Sequence, residues 1–445
     1  MTAALMQPDA NLLDCPADRL KLGRERLILG LMVVYILGAH LRLSLYANGN
    51  ILVPMYLMLA ASGVVALWFA PVILRKIGGI YVLMLGFVVL QPLAGGGSSY
   101  GASVTSILQL TASITGALAM IFALGLIKAD RLRGVLTMIW IVMILLALAE
   151  VLFLKGFFDQ VRDWLYAGSG RFVYLAEDRD LQLYGRVRTT VFASEPSFLA
   201  DTLSSLSAMN FMLNKQRGSL RSFLELGAML AISFCVVPSF KTGFYVAALM
   251  VWHFWPRSLR EASVLAIVLI GALLVALVGT DGFFRLVGET AGMHLSSGSF
   301  FGRIGSAHLV GFDALAAFPF YGFGIGQNDA VYPIIVGIWN QNGAFGLFPW
   351  YGPLPAADLM SNGFWWMWIY LGAVGGVIFL ALAARLLQGL GVATPWRSLV
   401  CACIVWYAGS AFVDPQSWYC VVIFSVGAMT RRVPLPHRRD PEQAA

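Results

Sequence analysis

Four cations of this chain lie close to the ends of predicted helices. Arg186 and Arg188 are two positions apart, Lys241 lies in the short segment Ser239–Gly243 between two apolar runs, and Arg303 opens a segment with helical periodicity. In an extended chain, alternate side chains face the same way, so we expect Arg186 and Arg188 to point together. Guanidinium groups bind phosphate oxygens in pairs and stay charged at physiological pH. These residues therefore predict a site for an anionic ligand such as a diphosphate.

Three carboxylates in or beside apolar runs are candidates for proton transfer. Glu150 and Asp201 lie inside such runs, where an ionisable group is costly and so a functional candidate, and Glu195 lies at the start of the run that contains Asp201. A partly buried carboxylate at Glu195 or Asp201 could serve as a general base. Glu195 could instead favour a helix start through the helix dipole, with Ser194 as the N-cap and Pro196 in the first turn, or pair with the cations.

Two other arrangements suggest chemistry less strongly. Asp178 and Asp180 could chelate a divalent cation, but they lie in a segment already rich in charge and could equally pair with its arginines. We therefore predict neither a metal site nor a cofactor. His308 follows Arg303 at a spacing that does not share a helix face, so an interfacial histidine is the simpler interpretation.

The surrounding sequence is that of an integral membrane protein. Hydrophobic residues make up 59% of the 445 residues, charged residues make up 12%, and the mean hydropathy is +0.77. A soluble protein would carry about 25% charged residues. About twelve apolar runs are long enough, or nearly so, to cross a bilayer as helices. The predicted spans are 26–46, 51–74, 77–95, 104–127, 134–154, 196–214, 222–238, 242–256, 262–280, 362–387, 398–413 and 417–430.

The distribution of Lys and Arg predicts the orientation. If residues 1–25 and 431–445 are cytoplasmic tails of a membrane domain over 26–430, twenty of the thirty Lys and Arg residues lie inside. The reverse orientation would oppose the positive-inside rule at nearly every loop. The net charge of +7 then reflects contact with inner-leaflet lipids and not nucleic-acid binding. We expect a multi-pass protein of a bacterial inner membrane, with both termini cytoplasmic and the site facing the periplasm.

Two outward segments, 155–195 and 281–361, are too long to be simple turns, and long loops usually carry function. Within the second, residues 303–318 predict an amphipathic helix at the membrane surface that ends at Pro319. The glycines of 322–326 predict a sharp turn. The aromatic residues of 331–352 are either an interfacial belt or a lid and platform on which sugars stack.

Four of these segments, taken in order, resemble a known family. Gly185-Arg186 with Thr190-Val191-Phe192-Ala193-Ser194-Glu195-Pro196-Ser197 resembles the "R…F.EPS" signature of O-antigen and exopolysaccharide polymerases, whose fold is shared with O-antigen ligases. The turn Ser239-Phe240-Lys241-Thr242-Gly243 and the segment from Arg303 to Pro319-Phe320-Tyr321-Gly322-Phe323-Gly324 are similar to two further motifs. Ser361-Asn362 stands where the family often has His-Asn. The resemblance covers most of residues 180–390.

The resemblance implies an all-α, GT-C-like membrane fold with two large periplasmic loops. It implies a metal-independent glycosyltransferase that uses an undecaprenyl diphosphate-linked oligosaccharide on the outer face. The residues that match as diphosphate binders are Arg186, Arg188, Lys241 and Arg303. Glu195 matches as a base or an orienter of the arginines, and His308, Ser361 and Asn362 are candidates for the acceptor site. Membrane lipids and a chain-length regulator or export machinery are the other expected partners.

The resemblance leaves several functions open. Because a serine cannot act as a base at neutral pH, Ser361 in place of the histidine favours a polymerase over a ligase that moves finished polymer onto lipid A core. A transporter or flippase should line its midplane with polar groups and broken helices, whereas most charges here lie at the outer ends. A non-catalytic subunit of an envelope assembly machine is a further alternative.

Overall fold

A computed structural model describes residues 22–47, 50–95, 100–167, 173–174, 177–216, 218–256, 301–352 and 354–429. The predicted span 262–280, the tail 431–445, most of the tail 1–25 and the first part of the loop 281–361 lie outside the described residues. The described chain is mostly helical, with one short β-hairpin, which confirms the all-α class.

The first helices are α1 (Leu22–Leu41), α2 (Tyr56–Ala94), α3 (Tyr100–Gly125), α4 (Ala129–Ala149), α5 (Lys155–Tyr166), α6 (Glu177–Tyr184), α7 (Pro196–Leu213), α8 (Leu220–Val236) and α9 (Lys241–His253). A π-helical stretch, Glu150–Leu154, joins α4 to α5. Strands β1 (Leu45–Ala47) and β2 (Asn50–Val53) form an antiparallel hairpin between α1 and α2.

The later part begins with a π-helical turn at Phe301–Gly305. The helices that follow are α10 (Ala307–Ala317), α11 (Asn328–Gln341), α12 (Ala344–Leu347), α13 (Ala356–Leu359), α14 (Gly363–Gly389), α15 (Pro395–Tyr407) and α16 (Pro415–Ala428). A 3-10 turn, Pro349–Tyr351, lies between α12 and α13.

Four helical segments of the described chain have the length and composition of membrane-spanning helices. They are Tyr56–Leu93, Ser103–Gly125, Ala129–Tyr166 and Gly363–Gly389. The other predicted spans in the described ranges are occupied by α1, α7, α8, α9, α15 and α16, which are shorter or more polar. The chain therefore has the helices of a membrane protein, while the number of crossings stays a prediction.

Helix α2 is bent into two arms. Ser62 in its first part lies against Gly116 of α3, and Tyr81 in its second part hydrogen-bonds Thr115 at 2.5 Å. In a straight helix Ser62 and Tyr81 would be about 28 Å apart, at 1.5 Å per residue, which is too far for both to reach neighbouring positions of α3. Pro71, which lacks an amide hydrogen, lies between these two contacts.

This bend corrects two predicted boundaries. The runs 51–74 and 77–95 are two arms of one helix and not two separate helices, and the first run begins in β2. The short sequence between the runs gave no glycine or turn signal strong enough to interrupt helical hydrogen bonding.

Helix α7 lies at the centre of the bundle although it is rich in polar residues. All of its residues except Ser197 are buried, and it packs against α1, α4, α8, α9 and α16. Ser204 pairs with Thr242 of α9 at 3.1 Å, and Ser205 donates to Tyr419 of α16 at 3.3 Å. Such hydrogen bonds join helices in apolar surroundings, so α7 fixes its own N-terminus relative to its neighbours.

Helix α14 is broken at Gly372, where φ is 68°. The segment 319–324 lies against the break and satisfies its main chain: the amides of Phe323 and Gly324 donate to the oxygens of Ile369 and Tyr370 at 2.9 and 3.0 Å. A Cβ built on Gly372 would lie 2.5 Å from the nitrogen of Gly322, so neither glycine has room for a side chain.

The glycine-rich segment 322–326 forms the sharp turn that the sequence predicts. Gly322, Gly324 and Gly326 have φ values of 67°, 93° and 82°, which side chains rarely adopt.

The helix predicted over 303–318 starts later, because a π-helical turn precedes α10. Helix α10 packs against α14 at Gly311, where the ring of Trp365 lies in the place that a Cβ would take. The ring of Phe312 contacts the same tryptophan with centres 5.1 Å apart. Phe312 and Phe318 are nevertheless partly exposed. The absence of a side chain at Gly311 therefore sets the close approach of α10 and α14.

The aromatic segment 331–352 packs into a cluster. Trp339 is fully buried, and its ring centre lies 5.1, 5.2 and 5.1 Å from those of Phe301, Phe345 and Tyr351. A buried ring cannot stack on a sugar, so a platform at Trp339 is excluded. Since Phe301 belongs to the π-helical turn, the cluster instead supports the turn that carries Arg303.

Candidate functional site

Glu195 occupies the N-cap of α7. Pro196 takes the first helical position and fixes the residue before it in an extended conformation, so the prediction of Ser194 as the N-cap is wrong by one residue. The Glu195 side chain makes no capping hydrogen bond and accepts one from the Ser197 hydroxyl at 3.0 Å. Glu195 therefore stands at the helix start, where the helix dipole favours a carboxylate, but its side chain does not cap a main-chain amide.

Asp201 joins the site from one and a half turns further along α7. Its Oδ2 accepts hydrogen bonds from Arg42 at 2.9 Å and from the Gln416 amide, and its Oδ1 accepts one from the Tyr245 hydroxyl at 2.9 Å. The Arg42 guanidinium also lies 3.6 Å from the ring centre of Phe198. Because its oxygens are bound by this many donors, Asp201 anchors cations and is poorly placed to act as a general base.

Lys241 opens α9, just before the predicted span 242–256, and only 4% of its surface is exposed. Its Nζ lies 4.0 Å from Oδ2 of Asp201. Burial lowers the pKa of Lys241 to about 8, although the charge of Asp201 opposes that shift. The side chain is thus a cation at neutral pH that loses its proton at mildly alkaline pH.

Arg303 enters from the π-helical turn before α10. Its Nε donates to the Ser361 hydroxyl at 3.2 Å, and its guanidinium lies 5.8 Å from the ring centre of Phe240, the residue before Lys241. Gly409 leaves room for this side chain, since a Cβ there would lie 3.0 Å from Cδ of Arg303. Arg303 and Lys241 are therefore brought to the same place from segments far apart in the sequence.

Asn362 is buried and holds this arrangement together. Its Nδ2 donates to the main-chain oxygens of Arg303 at 2.7 Å and of Tyr407 at 3.1 Å. Its Oδ1 accepts the amide hydrogen of Trp365 at 3.0 Å and so caps α14. These bonds engage the Asn362 side chain with the main chain around Arg303, and its place in an acceptor site stays a prediction.

Three cations act on the Glu195 carboxylate. Burial raises the pKa of Glu195, but the positive charges of Arg303, Lys241 and Arg42, helped by the Ser197 hydrogen bond, lower it by more. The net pKa therefore lies below the usual value, and Glu195 is ionised at neutral pH. Arg42, Lys241 and Arg303 against Asp201 and Glu195 leave a net charge of +1 (three minus two).

Arg188 does not join this cluster. Its guanidinium pairs with Asp180 at 2.9 Å and lies 4.7 Å from the ring centre of Tyr184, and Asp180 is fully buried. Arg186 is exposed, so the expectation that Arg186 and Arg188 face the same way is wrong. The backbone bends at Gly185 and again at Arg186, so the stretch from Arg186 to Arg188 is not a regular extended chain.

The contact between Arg188 and Asp180 bears on whether Asp178 and Asp180 chelate a cation or pair with arginines. Asp180 binds Arg188 and the Tyr174 hydroxyl, which leaves it engaged as an ion-pair partner. In the described residues no group of three His, Cys, Asp or Glu side chains is arranged to hold a metal ion.

His308 lies on the buried side of α10. Its Nδ1 makes a 3.0 Å hydrogen bond with the main-chain oxygen of Ile304, one turn earlier. Burial lowers the pKa of His308, and this hydrogen bond opposes the shift. The histidine is therefore neutral at physiological pH and takes part in local packing, in contrast to the predicted interfacial position.

Charges that the sequence predicts on the cytoplasmic side lie together elsewhere. Asn210 of α7 accepts a hydrogen bond from Arg133 at 2.9 Å, about 22 Å along the helix from Glu195 at 1.5 Å per residue. Ion pairs around it are Lys215–Asp130, Arg131–Glu25 and Arg133–Glu225. The two charged groups thus lie at opposite ends of α7, and which end faces the cytoplasm stays a prediction.

Sequence reasoning missed Arg42 and Gln416. Arg42 lies near the end of the predicted span 26–46, and nothing in the sequence links it to Asp201, 159 positions away. Gln416 lies just before the predicted span 417–430 and carries no signal of its own. The only available clue was a cation near the end of a predicted span.

The arrangement is suited to an anion. The helices α7, α9 and α14 begin beside the cations, and the free amides at helix starts carry partial positive charge that favours phosphate groups. A carboxylate stands next to the cations, within the same group of charges. Comparison of the chain with protein-family models, curated proteins and solved structures finds no match.

Proposed function

We propose that this protein is a glycan polymerase that transfers oligosaccharide repeat units from an undecaprenyl diphosphate carrier to build an exopolysaccharide or O-antigen at the outer face of the inner membrane. The observation that carries this proposal is the grouping of Arg303 and Lys241 around Glu195, where several helices begin. The cations can stabilise the charge of the leaving group, and the carboxylate can accept the proton of the acceptor hydroxyl. Both are the requirements of direct glycosyl transfer.

The chemistry follows from these charges. The acceptor hydroxyl oxygen forms a bond to the anomeric carbon as the bond from that carbon to the diphosphate oxygen breaks. Arg303 and Lys241 stabilise the negative charge that the departing diphosphate gains. Glu195 takes the proton of the acceptor hydroxyl. A single displacement of this kind inverts the anomeric configuration.

Binding of the donor also adjusts the base. In the free protein, the charges of Arg303 and Lys241 hold the pKa of Glu195 low, which makes it a weak base. A diphosphate bound to the same cations neutralises them and adds negative charge, which raises the pKa of Glu195. The carboxylate thus becomes a better proton acceptor when the donor is in place.

The test uses purified protein in liposomes with an undecaprenyl diphosphate-linked repeat unit, and a gel of the glycan products. A ladder of lengths made without lipid A core, and lost in Arg303→Ala, is the expected result. Arg385→Ala is the matched control, because Arg385 is exposed and bonds only to Gln388 among the described residues. A ladder that survives Arg303→Ala would remove this site from the reaction.

Two alternatives have their own outcomes in the same experiment. Product that forms only when lipid A core is added would identify a ligase. A transporter is favoured by one observation, the break of α14 at Gly372, because broken helices are common in transporters. It would move labelled glycan across the liposome membrane without joining units, whether or not lipid A core is present.

A further inference from the structure

The turn that leads into Glu195 has an unusual backbone. Val191 and Phe192 have φ values of 47° and 67°, in the left-handed region. A β-branched residue such as Val191 rarely adopts this conformation, and two such residues in succession persist only when their surroundings impose it. Since Glu195 comes three residues after Phe192, the path of this turn decides where its carboxylate lies.

Glu150 imposes the path. Its Oε2 accepts hydrogen bonds from the Val191 amide at 2.7 Å and from the Thr189 hydroxyl at 2.5 Å. Its Oε1 accepts from the Thr190 amide at 2.9 Å and from the Thr190 hydroxyl at 3.2 Å. The carboxylate is 5% exposed and gathers donors from three consecutive residues of the turn. Bonds to an ionised acceptor are stronger than those between neutral groups.

The local structure around Glu150 is adapted to this contact. Glu150 begins the π-helical stretch Glu150–Leu154, and such stretches widen a helix locally and are frequent at functional sites. On the opposite side, Nε2 of His40 donates to the main-chain oxygen of Val191 at 2.8 Å. The ring of Phe192 stacks on Phe158 with centres 4.3 Å apart. The strained residues are thus held on both the amide and the carbonyl side.

We infer that Glu150 is a positioning residue for glycosyl transfer, which holds the 189–192 turn in its left-handed conformation so that Glu195 faces Arg303 and Lys241. This inference rests on the proposed function for the role of Glu195. Glu150 itself is buried behind the turn and does not reach a ligand. It acts through the main chain of residues 193–195, the three residues that separate the turn from α7.

The first test does not depend on activity. Glu150→Gln keeps the size of the side chain but places an amide donor among the donors of the turn. We expect deuterium exchange of the Thr190 and Val191 amides to rise by about tenfold or more, the amount that corresponds to losing one hydrogen bond to a charged group. Glu177→Gln, which alters a carboxylate paired with Lys155, should leave it unchanged. Unaltered exchange in Glu150→Gln would overturn the inference.

The second test is a double-mutant cycle on the rate of ladder formation. Alone, Glu150→Gln should lower kcat by about tenfold or more with little change in KM, since donor contacts are kept. In a Glu195→Gln background, the same change should have no further effect, because Glu150 acts through Glu195. Independent losses that multiply would contradict the inference and show that Glu150 is merely structural.

A milder variant protects the test against misfolding. Thr189→Val removes one of the donors to Glu150 and keeps the shape of the side chain. Thr189→Val should raise amide exchange and lower kcat in the same direction as Glu150→Gln, but by smaller factors. If the wild-type protein forms no ladder, the proposed function fails, while the exchange measurement still decides whether Glu150 holds the turn.

Discussion

The side-chain amide of Asn362 donates a hydrogen bond of 2.7 Å to the main-chain oxygen of Arg303, 59 positions earlier in the chain. The same side chain begins α14 by binding the amide of Trp365. The start of a long helix and the backbone of the cation are therefore fixed by one residue. This contact explains how the π-helical turn keeps Arg303 directed at the site.

Asn362→Asp separates these two functions. The carboxylate keeps the cap of α14 but cannot donate to Arg303 or Tyr407. Leaving buried carbonyl oxygens without donors costs about 1–3 kcal/mol, and we expect kcat/KM for the donor to fall by roughly tenfold or more. The measurement is ladder formation at limiting donor, with Asn342→Asp as the control on an exposed asparagine. Equal activity of Asn362→Asp and wild type would show that Arg303 does not depend on this contact.

Replacement of Arg188 should affect stability and not donor binding. Arg188→Met leaves the fully buried Asp180 without its cation, and breaking a buried pair costs about 3–5 kcal/mol. We expect a lower midpoint of thermal unfolding in detergent and an unchanged KM for the donor in the folded fraction. The double variant with Asp180→Asn should recover part of the loss. A raised KM with normal unfolding would return Arg188 to the diphosphate site.

The rate should fall at alkaline pH because of Lys241. The pKa of this residue in the free protein is about 8, so its positive charge is present below that pH and lost as the pH rises through it. Because kcat/KM reports groups of the free enzyme, kcat/KM for the donor should decline above about pH 8. Lys241→Arg, which stays charged, should remove the decline. A profile that is the same in both proteins would exclude Lys241 from donor binding.

The acid limb of the same profile belongs to Glu195. Its depressed pKa means that the ionised form persists below the usual glutamate value of about 4.3. Since Arg303 is the largest favourable influence, Arg303→Lys keeps a charge and should leave the limb nearly in place. Arg303→Ala should move the limb to higher pH in its residual activity. An acid limb that does not move would show that another group takes the proton.

The sequence predicted where several charges lie better than it predicted how they pair. Lys241, Arg303 and Glu195 stand at predicted helix ends on one side of the membrane, and the structure brings them to the same end of the bundle. Arg188 was grouped with these cations, yet it pairs with the buried Asp180. The bends at Gly185 and Arg186 break the extended chain on which the expected common direction of Arg186 and Arg188 depended, and periodicity does not reveal them.

Pairing between distant helices was beyond reach of the sequence for a different reason. Arg42 and Asp201 meet only because α1 and α7 pack at one particular rotation and height. Apolar runs specify that helices form, but nearly uniform apolar surfaces do not specify which faces meet. The polar residues of α7 carry this information, and they could be interpreted only once their partners on neighbouring helices were known.

The seam between the segment 319–324 and the broken helix α14 limits how the protein can move. Besides the bonds from Phe323 and Gly324, the amides of Ala373 and Gly375 donate to the oxygens of Pro319 and Phe320 at 2.7 and 3.1 Å. Main-chain bonds in both directions hold these two segments together as one unit. In the proposed polymerase, an opening that admits a growing sugar chain would leave this seam closed and would involve α11, α12 and α13, which lie between the seam and the start of α14.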